Sequence, residues 1–180
     1  MGDSFATLRE RARTVGGKLF AYVPIVQFER HLLAASGYAE LDMIRESMAE
    51  LNAIAEEYQD RPEVLQIRLH NLMRQKRWPR ALRVSRKLCC VAPDCCTGFL
   101  HASFCLHELG QTEQAKKVLL KGPPMLLKEP IYYYNMGCYE ALLGNVGDAQ
   151  LHLQTSFEMD SSFRELAKKD PDLKSLQEFI

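Results

Sequence analysis

The sequence GQTEQA, Gly110–Ala115, recurs as GNVGDA, Gly144–Ala149, in a chain of 180 residues. The alanines that end these two segments are 34 residues apart, and each follows a glycine by five positions. One further step of 34 residues towards the N-terminus reaches Ala81, and the next reaches Ser47. A small residue in phase over four consecutive periods indicates an internal repeat.

Apolar residues recur at spacings of three and four around these small residues, which is typical of helical faces. Those before them are Leu65, Leu69 and Leu72; Phe99, Ala102 and Leu106; and Tyr133, Met136 and Gly137. Those after them are Leu51 and Ile54; Leu82 and Leu88; Leu119; and Leu153 and Phe157. Each repeat therefore predicts two helices, with a turn near Lys76, Gly110 or Gly144 and a helix breaker at its end.

The repeat resembles that of the tetratricopeptide repeat (TPR) family, whose unit of about 34 residues carries W-x2-L-G-x2-Y, then A-x3-F, then P. The matches in the last repeat are Tyr133, Met136, Gly137, Ala149 and Leu153. Three residues depart from the pattern. Arg68 and Glu140 stand where apolar residues are usual, and Asp42 replaces the turn glycine.

The resemblance implies an all-α fold, a TPR-like α-α superhelix (solenoid) of about four helical hairpins. The expected units are 28–61, 62–95, 96–129 and 130–163, after an N-terminal extension or helix over 1–27 and before C-terminal capping helices over 164–180. The extension either caps the array or binds a partner. Near the C-terminus, Ser162 and Glu165 match a capping box, so we expect the Ser162 side chain to cap a helix.

In TPR proteins the first helix of each unit lines a binding groove, and the resemblance carries this role to eleven residues. They are Gln66, His70, Met73 and Arg74; Leu100, His101, Phe104 and His107; and Tyr134, Asn135 and Cys138. The implied function is a non-catalytic protein–protein interaction scaffold or chaperone-like adaptor that binds a partner peptide. The positions with which one TPR subclass grips the C-terminal carboxylate of heat-shock chaperones hold no lysine or arginine, which argues against that ligand.

Lysine plus arginine equals aspartate plus glutamate, 23 each, so no global charge points to nucleic acid or a membrane. A cationic run nevertheless extends over 74–87 without an acidic residue. Its candidate surface residues are Arg77, Arg80, Arg83 and Lys87. We interpret the run as a solvated helix face. The alternative is a surface that binds RNA or an acidic partner, with affinity that falls steeply with salt.

The segment CCVAPDCC, Cys89–Cys96, holds four of the six cysteines at the predicted joint between two repeats. We interpret Cys89, Cys90, Cys95 and Cys96 as small apolar residues of that joint. The alternative is a zinc or redox-responsive site, but no second pair with zinc-ligand spacing follows. We therefore expect neither a metal nor another cofactor.

No serine elbow, phosphate loop or HExxH motif is present, so we expect no enzyme activity. No secretory signal or membrane-spanning run is found, and the cysteines do not resemble a disulfide framework. These features predict a cytoplasmic protein with reduced thiols. Its expected partners are proteins or peptides, with no membrane and no nucleic acid, and the sequence leaves the oligomeric state open.

Overall fold

The computed structural model describes residues 25–180, and in this part of the chain the regular structure is entirely helical. The helices are α1 (25–40), α2 (Ile44–Ala53), α3 (Pro62–Arg74), α4 (Trp78–Val91), α5 (Cys96–Glu108), α6 (Thr112–Leu119), α7 (Pro130–Leu142), α8 (Val146–Met159) and α9 (Ser162–Ala167). Short 3-10 helices span Glu56–Tyr58, Pro124–Lys128 and Pro171–Leu176. Most of the predicted extension 1–27 lies outside the described residues.

The helices begin with the period of the sequence. α3, α5 and α7 begin at 62, 96 and 130, and α2, α4, α6 and α8 begin at 44, 78, 112 and 146. Two compact units make up the fold, Met1–Asn71 and Leu72–Ile180, of which the first is described from residue 25. The predicted unit boundaries at 61, 95 and 129 stay a prediction.

A left-handed residue closes the turn within each helix pair. Asp42, Lys76, Gly110 and Gly144 have φ of 58°, 53°, 73° and 82°, and they too are 34 residues apart. The next amide in each turn donates to the carbonyl five residues earlier, as Asn145 does to Glu140 at 2.9 Å. This bond satisfies a carbonyl at the helix end, where glycine adopts positive φ at no steric cost. The turns therefore lie where the sequence predicts them.

The in-phase small residues Ser47, Ala81, Ala115 and Ala149 are fully buried. Small side chains let neighbouring helices approach closely. At Gly137 of α7, an added Cβ would lie 2.7 Å from Leu153 Cγ of α8, which is closer than carbon atoms pack. The repeat of small residues is thus a packing requirement of the helix pairs.

The first unit has a core of Phe28, Ala35, Leu51, Ile54 and Val64. Its polar contacts explain one departure from the TPR pattern. The guanidinium of Arg68 donates to Asn52 Oδ1 at 2.9 Å, to Gln59 Oε1 at 2.7 Å and to the Leu51 carbonyl. An arginine is tolerated at this apolar position because polar groups of the preceding helix and loop satisfy it.

In the second unit α7 packs closely on α8, and Glu140 of α7 is 3% exposed. Its carboxylate accepts from Lys116 Nζ of α6 at 2.7 Å and from Asn145 Nδ2 at 2.8 Å. Burial alone raises the pKa of Glu140, but these hydrogen bonds and the lysine charge outweigh it and lower the pKa overall. The second departure from the TPR pattern is thus an ion pair that joins α6 to α7.

The C-terminal segment 160–180 differs from the sequence prediction at one helix start. The predicted capping box at Ser162 is wrong, because the carboxylate of Asp160 accepts from the Ser162 amide at 2.9 Å and the Ser162 side chain makes no cap. The next break is capped in the same way, since Asp170 accepts from the Asp172 amide at 2.9 Å. Short aspartate side chains supply such bonds two residues ahead more readily than a serine within the helix.

Candidate functional site

The C-terminal segment 170–176, here called the tail, packs against α7. The Tyr134 hydroxyl donates to Asp170 Oδ2 at 2.6 Å, and the Cys138 thiol lies 3.8 Å from the same oxygen. Leu173 and Leu176 of the tail are fully buried or nearly so. Apolar burial and a charge-assisted hydrogen bond together hold the tail on α7.

The tail also contacts α5 through His107. The Nε2 atom of His107 lies 2.8 Å from Asp172 Oδ2, and its Nδ1 atom lies 3.2 Å from Thr112 Oγ1. The imidazole packs on the Tyr139 ring with a centroid distance of 5.2 Å. Because a carboxylate only accepts hydrogen bonds, Nε2 carries the proton that faces Asp172.

Three of the predicted groove residues of α7 are therefore buried in this structure, namely Tyr134, Asn135 and Cys138. Burial and the bond to Asp170 raise the pKa of the Tyr134 hydroxyl, which stays a neutral donor. Burial and the negative charges of Asp170 and Asp172 raise the pKa of the Cys138 thiol. These side chains contact the chain's own tail, so a partner would reach them only if the tail moved.

A cavity of about 310 Å³ remains open beside the tail. Its lining residues are Phe104, His107, Glu108, Leu166, Lys169, Asp170, Pro171 and Asp172. The Phe104 ring is half-buried and meets Trp78 edge-on, with centroids 5.7 Å apart. The wall combines an aromatic ring and a leucine with side chains of both charges, so it can bind an apolar anchor and orient polar groups around it.

The remaining predicted groove residues are spread more widely. Leu100 and His101 are half-buried on α5, Arg74 is exposed at the end of α3, and Met73 Sδ lies 3.4 Å from the buried Cys105 thiol. Gln66 and His70 are exposed on α3 in the first unit.

The structure thus brings together only part of the set, around Phe104 and His107. The tail residues of the cavity were missed by sequence reasoning, although the Asp170–Asp172 motif marked a chain break there.

The cationic residues Arg77, Arg80, Arg83 and Lys87 are all exposed on α4 or at its start. The buried residues of this helix are Ala81, Leu82, Ser85 and Leu88. Charged and buried positions alternate at helical spacing, as they do on an amphipathic helix. The arrangement agrees with a solvated face, and it gives no feature that favours RNA.

The four clustered cysteines lie at the joint between α4 and α5. Cys90 is exposed, while Cys89, Cys95 and Cys96 are half-buried. Burial raises the pKa of the Cys89 thiol to about 11, with smaller contributions from Cys90 and Cys95, so it is protonated at neutral pH. Within residues 25–180 no group of three or more His, Cys, Asp or Glu side chains is placed to hold a metal ion. The zinc alternative is not favoured.

Over residues 25–180, none of the helices combines the length and the apolar character that crossing a membrane requires. The longest helices of the second unit, α4 and α8, have 14 residues each. A membrane-spanning helix needs roughly 20 predominantly apolar residues.

Comparison with known proteins supports the fold. No protein-family model matches the sequence, and neither does any curated protein. Solved structures do match, and one of them is described as "MamA RS-1 ArsTM double mutant". That structure superposes with a TM-score of 0.69 over 90% of this chain and 97% of its own, at 16% sequence identity. MamA is a TPR-containing protein. The predicted fold class is confirmed: the chain has an all-α, TPR-like helical repeat fold.

Proposed function

We propose that this protein is a non-catalytic interaction scaffold or chaperone-like adaptor that binds a peptide segment of a partner protein. Two observations support the proposal. The TPR-like fold is a kind of scaffold that presents helix faces to partners. The cavity beside Phe104 and His107 is the part of the predicted groove that stays open next to the tail, and this observation carries the proposal.

The cavity defines the peptide that would fit. Phe104 and Leu166 offer an apolar wall for one large apolar side chain, and Lys169 and Glu108 offer charges of both signs at its edge. The Trp78 contact and the bonds of His107 hold the wall in place before a ligand arrives. Binding to a preformed surface costs little ordering entropy, so affinity would come from shape and apolar contact.

The proposal is tested with a photo-crosslinking amino acid in place of Glu108, which is exposed and lines the cavity. The crosslinked partner would be captured from the native lysate and identified by mass spectrometry. Lys169→Glu should abolish the crosslink because Lys169 lines the cavity. Lys174→Glu is the matched control, since it makes the same charge change on an exposed tail residue outside the cavity lining.

A partner that is lost with Lys169→Glu and kept with Lys174→Glu would support the cavity as the site. Equal crosslinking by both variants would place the partner elsewhere. The absence of any specific crosslink in the wild type would contradict the proposal. Circular dichroism of both variants checks that the helical fold is intact.

A further inference from the structure

The loop between α6 and α7 carries an apolar surface that the repeat does not need. α4 and α8 have 14 residues each, whereas α6 has eight and ends at Leu119. Gly122–Pro124 follows, and prolines without an amide proton cannot continue the helix. The chain then passes through the 3-10 helix Pro124–Lys128 into α7. The early end of α6 replaces part of a helix by a loop with its own surface.

Three large apolar side chains of this loop are exposed by more than half: Leu120 by 56%, Met125 by 53% and Leu127 by 52%. The same positions in the neighbouring repeats provide an internal comparison. Leu120 corresponds to Arg86 and Gln154, and Leu127 corresponds to Pro93 and Ser161. Met125 corresponds to Val91 and Met159, which are also half-exposed and apolar. Helix packing therefore does not require leucine at 120 or 127.

These side chains border a recess of about 200 Å³. Its lining residues are Leu119, Leu120, Gly122, Pro123, Pro124, Leu126, Leu127 and Tyr132. The recess is many times the roughly 30 Å³ that a water molecule occupies in the liquid. An apolar wall of this size gives water few hydrogen bonds but accepts a large apolar side chain.

The rim of the recess is mainly cationic. Lys121 follows Leu120 directly, Lys128 follows Leu127 directly, and both lysines are exposed. Lys117, one turn earlier on α6, is exposed and pairs with Glu113 at 3.3 Å. Glu129 is the acidic residue next to Lys128. An apolar centre with a charged rim is the usual composition of a protein interface, and this rim favours acidic groups on the partner.

We propose that Leu120, Met125 and Leu127 with their recess form a second docking surface, which binds an acidic segment of another protein through one large apolar side chain. A concave apolar wall receives a protruding side chain, whereas insertion into a bilayer needs apolar side chains at a convex tip. The recess therefore favours a protein segment over a lipid surface. This surface is independent of the cavity at Phe104 proposed above.

The test uses a phage-displayed library of random 12-residue peptides, selected on the immobilised full chain. Leu120→Gln/Leu127→Ser serves for counter-selection, because it introduces the residues found at these positions in the last repeat and should keep the fold. Leu142→Gln, at another half-exposed leucine, is the matched control. Enriched peptides would be synthesised with a fluorescent label, and their affinity measured by anisotropy.

We expect the enriched peptides to place Leu, Ile, Phe or Trp between aspartate and glutamate residues. Leu120→Gln/Leu127→Ser should weaken their binding at least about tenfold, as loss of a central apolar contact does at interfaces. Lys121→Glu/Lys128→Glu should weaken it about threefold and reduce its salt dependence. Leu142→Gln should bind like the wild type.

Four results would overturn the proposal. Peptides that bind the double leucine variant equally well would show that the surface is not used. Enriched peptides without acidic residues would refute the charge argument. Flotation with phosphatidylserine vesicles that depends on Leu120 and Leu127 would assign the surface to lipid. A dimer in sedimentation velocity that is lost in Leu120→Gln/Leu127→Ser would assign it to a second copy of the chain.

Discussion

The turn residues allow a prediction in which the same substitution has opposite effects at neighbouring glycines. Gly144 has φ of 82°, and nothing lies within 4 Å of a Cβ added there. Gly147 is helical with ordinary φ, and its added Cβ also meets nothing within 4 Å. Because neither alanine would clash, the two variants differ only in backbone conformation. Gly144→Ala should destabilise the protein, and Gly147→Ala should stabilise it.

The magnitudes follow from the backbone angles. A left-handed conformation costs a residue with a Cβ roughly 1–2 kcal/mol. Alanine recovers about 0.4–1 kcal/mol by reducing the entropy of the unfolded chain. Gly144→Ala should thus lower the free energy of unfolding by about 1 kcal/mol, and Gly147→Ala should raise it by about 0.5 kcal/mol. The reverse change Lys76→Gly, at φ of 53°, should raise it by about 0.5 kcal/mol.

The assay is urea unfolding followed by circular dichroism at 222 nm, with the m-value compared between variants. An unchanged m-value shows that the midpoint reports stability. Equal stabilities of Gly144→Ala and Gly147→Ala would refute the reasoning, because the difference of about 1.5 kcal/mol rests entirely on the sign of φ. A lower stability of Lys76→Gly would refute it for the turns without glycine.

Three further predictions concern the second unit. Lys116→Met should destabilise the fold by about 2 kcal/mol by leaving the buried Glu140 without its cation, and Lys116→Met/Glu140→Met should recover most of the loss in a double-mutant cycle. Since the folded pKa of Glu140 is lowered from 4.5, its stabilising contribution should be present above pH 4.5 and vanish as the pH falls through the folded value, whereas the double variant should lack this acid-dependent loss. Tyr134→Phe should lower the free energy of unfolding by about 1.5 kcal/mol and speed tryptic cleavage before the tail, and unchanged cleavage would contradict the role of its hydroxyl. With a thiol reagent at pH 8, Cys90 should react fast because it is exposed, and Cys105 only on unfolding because burial raises its pKa to about 12; fast reaction that survives Cys90→Ser would disprove this order.

Part of the candidate site could be predicted from the sequence. Phe104 and His107 do line a cavity, because their place on the first helix of a repeat follows from the helical period. The burial of Tyr134 and Cys138 could not be predicted in this way. It depends on the tail turning back onto α7, and two aspartates 32 or more residues away decide it. A repeat pattern contains no term for a contact made once, by a segment outside the repeat.

The sequence by itself determined the period, and with it where each helix begins and which residue closes each turn. This information is local: φ above zero suits glycine, small residues suit close helix packing, and spacings of three and four mark a buried face. The sequence also restricted Arg68 and Glu140 to positions where they need partners. Only the tertiary structure decided who those partners are, which groove residues the tail covers, and that a shortened α6 leaves Leu120 and Leu127 exposed. Those outcomes depend on side chains that are distant in sequence and on a three-dimensional fit that no local pattern encodes.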